Sequence, residues 1–172
     1  GTIRDDVIVS PDREQRDQIF GKDGDDLINA GKAIDRIKGG AGDDVIWGGT
    51  NFANTEGGSF QGDVAYYSSE QEQYTIIRNV YVKAAAVGGD VERTTTGTTG
   101  LVKIYGDGKM SAKGVEVQDN PSIPMTEANG YYAATIVIDR LTDAAGGEGV
   151  DVLVGIEGLA FGAKDEFYLQ EV

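Results

Sequence analysis

Cysteine and histidine are both absent from this 172-residue chain. Without cysteine there are no disulfides and no thiolate metal sites. Without histidine there are no His-based nucleophile triads, no imidazole acid–base chemistry and few routes to a zinc site. A metal bound here is held by oxygen ligands, which favours Ca²⁺ or Mg²⁺. No apolar run approaches the roughly 18–20 residues of a membrane-spanning helix, so no membrane insertion is expected. Neither an initiator methionine nor a signal-peptide pattern stands at the start, and the chain is expected to be a piece of a longer polypeptide. The three prolines follow Ser10, Asn120 and Ile123. No Asp-Pro bond is therefore present.

Basic residues are also scarce: 15 Lys and Arg stand against 29 Asp and Glu, a net charge of −14. That balance argues against nucleic acid and anionic membrane as partners, since both need a basic face. A cation is the obvious counterpart. Hydrophobic residues make up 40% of the chain, enough for a globular core in spite of the charge.

The first third of the chain has a period of nine. Cut at Gly39, it yields GGAGDDVIW (39–47), AGKAIDRIK (30–38), GKDGDDLIN (21–29) and DREQRDQIF (12–20). After a skip of Ser10-Pro11, GTIRDDVIV (1–9) precedes them. Position six is Asp6, Asp17, Asp26, Asp35 and Asp44; position eight is Ile8, Ile19, Ile28, Ile37 and Ile46. The series then weakens. GGTNFANTE (48–56) has Ala53 at position six, and GSFQGDVAY (58–66) restores Asp63 there, with Ala65 at position eight. Free acidic turns have no reason to repeat Asp and Ile nine apart. An EF-hand fails on spacing, because Leu27 and Ile28 stand where Asp/Asn and Gly are needed in a loop starting at Asp23.

GGAGDDVIW resembles the GGxGxDxUx nonapeptide of the RTX, or haemolysin-type, calcium-binding repeats, and GKDGDDLIN is a near match. The resemblance implies an all-β fold, a parallel β-roll. Each block is then a six-residue turn and a three-residue strand, two blocks make one coil, and Ca²⁺ sits between turns stacked on the same edge. The chemistry of the residues agrees. Early glycines permit positive φ and bring carbonyls together. Carboxylates and carbonyls are the hard oxygens that Ca²⁺ takes, and the position-eight isoleucines point inward as a ladder.

Alternate blocks share an edge. By block count, one edge carries Asp6, Asp26, Asp44 and Asp63, and the other carries Asp17, Asp35 and Ala53. The second edge has few glycines and holds Arg13, Arg16 and Lys32, so calcium is expected mainly on the first, with basic side chains standing in for the ion on the second. The best site is expected between turns 21–26 and 39–44, from Gly21, Asp23, Gly24, Asp26, Gly39, Ala41, Gly42 and Asp44. A second is expected between 39–44 and the turn ending in Asp63, and a third between the turns of Asp6 and Asp26.

After Asp63 the pattern is of ordinary strands, expected at Val64–Tyr67, Tyr74–Arg78, Val80–Val87, Leu101–Tyr105, Gly114–Val117 and Tyr131–Leu141. Turn signals at Gly88-Gly89-Asp90, Gly97–Gly100, Gly106-Asp107-Gly108 and Asn129-Gly130 separate them, and Gln118–Glu127 reads as a loop. GDVAYYSSEQEQYTI (62–76) and GGEGVDVLVGIEGLAFG (146–162) resemble segments that leave and close RTX regions. Residues 146–154 also fit the nonapeptide through Asp151 and Leu153; a half-buried strand after a Gly turn is the expectation there, with an additional calcium turn as the alternative. The domain division expected is a roll over 1–66 and a β-rich C-terminal cap over 67–172 that buries its last coil.

The resemblance implies a non-catalytic calcium-binding module of a larger secreted bacterial protein. Such a module is exported by a type I system and folds on Ca²⁺ outside the cell or at its surface. The tail EFYLQEV has the acidic-apolar character of such secretion signals. A different class of function is a carbohydrate- or peptide-binding accessory or adhesin module that uses the insert 88–130. Catalysis would need a carboxylate pair and is not expected.

Overall fold

An inward-pointing apolar residue every ninth position, after a turn of six, winds the chain. The computed structural model describes residues 1–10, 15–49, 62–84, 91–97, 100–104, 115–118, 131–141, 145–162 and 168–171. The first six strands are β1 (Val7–Val9), β2 (Gln18–Asp23), β3 (Leu27–Asn29), β4 (Arg36–Ala41), β5 (Val45–Trp47) and β6 (Val64–Tyr66). β1, β3 and β5 lie side by side in one parallel sheet, and β2, β4 and β6 in another. Successive strands therefore alternate between two sheets, which is a parallel β-roll.

The register puts position eight of each block on position eight of the next. Ile8 pairs with Ile28 and Ile28 with Ile46 in one sheet, and Ile19 with Ile37 and Ile37 with Ala65 in the other. Ile28, Ile37, Ile46 and Ala65 are buried to 1% exposure or less and share one core. Complete burial of a side chain of this size is worth about 1.5–3 kcal/mol, so the ladder is the apolar spine of the roll.

The remaining strands are β7 (Tyr74–Ala84), β8 (Val91–Gly97), β9 (Gly100–Ile104), β10 (Val115–Gln118), β11 (Tyr131–Asp139), β12 (Val150–Val154), β13 (Gly158–Phe161) and β14 (Tyr168–Glu171). The first sheet runs β1-β3-β5-β12-β11-β7-β8-β9-β10 and the second β14-β13-β6-β4-β2. β12 pairs in parallel with β5, setting Leu153 on Ile46, and β13 pairs in parallel with β6, setting Leu159 on Ala65. Both new residues sit at position eight of the ladder and are buried. Residues 150–161 thus add another coil to the roll directly. β11, β7, β8, β9 and β10 continue the first sheet with antiparallel pairing. Tyr67, Tyr74 and Phe161 pack together over the end of the core, with ring centroids 5.0–5.6 Å apart. On the other face of the first sheet, Trp47 meets Tyr132 edge-on at 5.0 Å.

Several expectations differ from this arrangement. The two strands expected at 74–78 and 80–87 are one strand, β7. β8 was not foreseen, although its Thr94-Thr95-Thr96 run is β-branched and β-favouring. Segment 146–154 gives a fully buried strand, not a half-buried one. The loop expected at Gln118–Glu127 and the turns at 88–90, 106–108 and 129–130 lie, beyond Gln118, outside the described residues.

The expected partner of the turn 39–44 also changes. β6 pairs with β4, so Asp63 stands on the edge of Asp17 and Asp35, opposite Asp44. The block count placed two half-coils between Trp47 and Tyr66, which would return β6 to the sheet of β5; β5 lies in the first sheet and β6 in the second, so the position-six residue before β6 falls on the other edge.

Candidate metal centre

Each turn is tied to the next by carboxylates. On the first edge the backbone N–H of Asp6 donates to Asp26 Oδ1 at 2.8 Å, that of Asp26 to Asp44 Oδ1 at 2.8 Å, and that of Asp44 to Asp151 Oδ1 at 3.1 Å. A second ladder runs beside it in the opposite sense. The N–H of Asp25 donates to Asp5 Oδ1 at 3.0 Å, that of Asp43 to Asp25 Oδ1 at 3.0 Å, and that of Val150 to Asp43 Oδ1 at 2.9 Å. Adjacent aspartates therefore do different work. Position six accepts from the turn before, and position five from the turn after. Sequence reasoning assigned no role to position five, although the pairs Asp5-Asp6, Asp25-Asp26 and Asp43-Asp44 were its visible signal.

The second edge has only the position-six ladder. The N–H of Asp17 donates to Asp35 Oδ1 at 2.8 Å, that of Asp35 to Asp63 Oδ1 at 2.7 Å, and that of Asp63 to Glu157 Oε2 at 2.7 Å. Arg16, Ile34 and Gly62 occupy position five there, and none can accept in this way.

These ladders use one oxygen of each carboxylate. The other, Oδ2, is fully buried in Asp26, Asp35 and Asp44 and accepts no hydrogen bond among the described residues. An ionised oxygen buried without a partner is costly. Burial raises the Asp26 and Asp35 carboxyls above the usual range. It pushes Asp44 up to about 8, helped by the charges of Asp26, Asp25 and Asp43. It raises Asp151 well above the usual value, with the charge of Asp44 next in weight. Near neutral pH the Asp44 carboxyl therefore holds a proton or needs a cation.

Backbone oxygens stand beside the orphaned ones. A Cβ built on Gly21 would lie 2.2 Å from Asp26 Oδ2 and 2.4 Å from the carbonyl oxygen of Gly39 in the next turn. One built on Gly39 would lie 2.0 Å from Asp44 Oδ2. Glycine at position one thus leaves open a cradle where a carboxylate and a carbonyl converge. At position four, Gly24 and Gly42 have φ of +115° and +136°, and a Cβ on Gly42 would sit 2.1 Å from the Gly24 carbonyl oxygen. Among the described residues no three Asp or Glu side chains close on one point, so carbonyls have to complete a ligand set. Hard oxygens of both kinds fit Ca²⁺.

The expected ligands are therefore brought together unevenly. Gly21, Asp26, Gly39 and Asp44 line the cradles of the first edge. Gly24, Ala41 and Gly42 shape the turns, and the Ala41 carbonyl accepts from Gly24 N–H at 2.8 Å. Asp23 is exposed at the end of β2. Asp6 lies at the open end of the roll, and its Oδ2 accepts from Thr2 N–H, which lowers its pKa. Asp63 lies on the second edge, and Asp151 takes the place on the first edge expected of it.

The last first-edge turn is held by a polar cluster at Glu148, which is 7% exposed. Its carboxylate accepts from Ser68 N–H at 3.0 Å, from the Ser68 hydroxyl at 2.9 Å and from the Tyr74 hydroxyl, and Lys38 Nζ lies at 3.6 Å.

Residues 14–33 and 20–51 match the family described as the RTX calcium-binding nonapeptide repeat (4 copies). Among curated proteins none matches the chain. Among solved structures it is similar to the solution structure of the AlgE6R3 subunit from the Azotobacter vinelandii mannuronan C5-epimerase. The identity is 17% and the TM-score 0.32, over 90% of this chain and 68% of that one. The turns that carry Asp26, Asp35 and Asp44 lie within this match, so residues 14–51, wound here as part of a parallel β-roll, are RTX nonapeptide repeats of the calcium-binding kind.

Proposed function

We propose that this chain is a non-catalytic module of a larger secreted protein. It becomes rigid on binding Ca²⁺ outside the cell and supports the export, folding and stability of its parent. The observation that carries this reading is the row of buried, unpartnered Oδ2 atoms of Asp26, Asp35 and Asp44 along the roll. Bound Ca²⁺ supplies positive charge and a demand for oxygen ligands. Asp26 and Asp44 would hold it through Oδ2, with the Gly39 carbonyl between them.

A site saturated at roughly 100 times its Kd adds about 2.7 kcal/mol. Two or three such sites add roughly 5–8 kcal/mol, comparable with the whole stability of a domain. Extracellular calcium modules commonly have Kd of about 10⁻⁴–10⁻³ M. At that affinity the turns stay loose in a low-calcium cytosol, which suits a chain exported unfolded, and become ordered outside.

The expected partners are calcium ions and the rest of the parent polypeptide. No helix among the described residues is long and apolar enough to cross a membrane. The alternative is an adhesin or accessory module for carbohydrate or peptide that uses the 88–130 insert, most of which lies outside the described residues. The cleft lined by Arg78, Thr135, Gly155 and Glu157 is about 250 Å³, below the roughly 300–1,000 Å³ usual for ligand pockets. Calorimetric titration of the metal-free chain with Ca²⁺, followed in parallel by circular dichroism, tests the proposal. Heat release with gain of strand signal is expected, and a fold indifferent to chelator would overturn it.

A further inference from the structure

β11 carries one polar side chain inside an apolar row. Ala134, Thr135, Ile136, Val137 and Ile138 are all buried, Thr135 to 4% exposure. Thr135 lies opposite Leu153 of β12, and residues directly opposite share a face of the sheet. Its hydroxyl is therefore on the inner face, beside the core to which Leu153 and Val137 belong. Among the described residues that hydroxyl makes no hydrogen bond. An unpaired hydroxyl on an apolar face costs stability, and a bound partner would remove the cost.

The backbone is irregular at the same point. Ala134 pairs with Val80 and Ile136 with Ile77, so Arg78 and Asn79 together stand against Thr135. This is a β-bulge in β7, a device that re-aims a side chain and is common beside functional sites. Arg78 borders a cleft that Thr135, Leu153, Gly155, Ile156 and Glu157 also line. Gly155, Ile156 and Glu157 are the turn by which the chain crosses from β12 in the first sheet to β13 in the second.

The cleft of about 250 Å³ is short of what a drug-sized ligand needs and leaves room for one small molecule. Its lining narrows the class. Arg78 and Glu157 bring one charge of each sign. Leu153 and Ile156, 2% and 7% exposed, bring apolar surface, and Thr135 brings a hydroxyl that both donates and accepts. A simple anion would match Arg78 but meet Glu157 and the field of a chain of net charge −14. A simple cation would meet Arg78. Among the described residues the lining has no aromatic ring to offer a sugar a flat apolar face. A zwitterion matches both charges, and its zero net charge leaves it unrepelled by the chain.

We propose that this cleft binds a free amino acid with an aliphatic side chain. Its carboxylate takes the Arg78 guanidinium, whose parallel N–H donors suit that group, and the Thr135 hydroxyl. Its ammonium takes the Glu157 carboxylate, whose Oε2 also accepts the Asp63 N–H at 2.7 Å. Its side chain lies against Leu153 and Ile156. The site uses no metal and goes beyond the calcium reading, so either can fail without the other.

The test uses the full chain in saturating Ca²⁺ with leucine as the probe. Backbone amide shifts are followed by nuclear magnetic resonance as leucine is added. Saturable shifts are expected at Thr135, Gly155 and Ile156, with the millimolar affinity usual for a ligand of few atoms. N-acetyl-leucine and leucinamide each lack one of the two charges and should bind at least tenfold more weakly. Arg78→Gln and Thr135→Val should weaken leucine binding at least tenfold. Arg78 is exposed, so its variant should keep the fold, which circular dichroism in calcium checks. Absence of leucine-dependent shifts at these amides would overturn the site, as would an unchanged affinity in Arg78→Gln. Tighter binding there of acetate, glucose or N-acetyl-leucine than of leucine would overturn the zwitterion as its ligand. None of these results bears on the calcium module, whose own titration is made without leucine.

Discussion

The backbone N–H of Asp44 donates to the carboxylate of Asp151, 107 residues further along the chain, at 3.1 Å. Between them the chain leaves the roll at β6, builds the antiparallel part of the first sheet and returns. The return is in register: Val152, Leu153 and Val154 lie on Val45, Ile46 and Trp47. The roll is thus one stack of turns interrupted by an insert. Whatever neutralises the carboxylates of the stack also governs how firmly the returning coil is held.

Chelation should therefore loosen β12 and β13 along with the first coils. Trp47 is the single tryptophan, is 1% exposed and meets the ring of Tyr132 edge-on. Its fluorescence should shift to longer wavelength in chelator and return with Ca²⁺. Asp26→Asn combined with Asp44→Asn keeps both ladder acceptors but removes two charges. It should raise the midpoint of that calcium response at least tenfold. An unchanged midpoint would show that these carboxylates do not face the ion.

In chelator, the pH dependence has a definite sign. Burial pushes Asp44 from its ordinary 3.8 up to about 8, and Asp26, Asp35 and Asp151 are raised in the same direction. A carboxyl raised in the folded state binds a proton that the unfolded chain releases. Its contribution is fully present below about 4 and is lost as pH rises through about 8. The metal-free chain should melt at progressively lower temperature across that window. Calcium displaces the proton, so its apparent affinity should rise over the same interval. Melting curves between pH 5 and 9, with chelator or with saturating Ca²⁺, check both slopes.

The ladder of isoleucines and the first-edge turns could be read directly in the sequence, because Ile8, Ile28 and Ile46 stand at fixed positions in their blocks and nine-residue periodicity survives inspection. The edge of Asp63 could not. Strand alternation depends on counting half-coils, and the repeat pattern is too weak between Trp47 and Val64 to give the count that sets β6 in the second sheet. Burial of the 150–154 strand was also hidden, because a Gly-Asp turn eighty residues from its relatives carries no mark of which coil it joins. The role of position five was missed for another reason. An aspartate that accepts a backbone N–H from the following turn looks, in sequence, like any solvated charge.

The ladder itself has a measurable worth. Ile46 touches position eight of both neighbours, Ile28 and Leu153, and is 1% exposed. Ile46→Val should cost about 0.5–1.5 kcal/mol and Ile46→Ala about 2–5 kcal/mol in denaturant unfolding with calcium present. The same changes at Ile8, which lies at the open end and is only partly buried, should cost less than half as much. Equal losses at the two positions would mean that the core does not fade toward β1.

Turn geometry supplies a pair of substitutions with opposite effects. Gly42 is held at φ +136°, and an added Cβ would stand 2.1 Å from the Gly24 carbonyl oxygen. Gly42→Ala meets both a steric and a backbone penalty, so a loss of roughly 1–3 kcal/mol is expected, together with weaker calcium binding on the first edge. Ala33 occupies the same position of its block at φ +87° and already bears such a strain. Ala33→Gly relieves it but loosens the unfolded chain by about 0.4–1 kcal/mol, so a gain of up to roughly 2–2.5 kcal/mol is expected. Thermal unfolding of the two variants in calcium decides the matter. Destabilisation by Ala33→Gly would mean that the residue is at ease in its turn and that the strain argument for this edge fails.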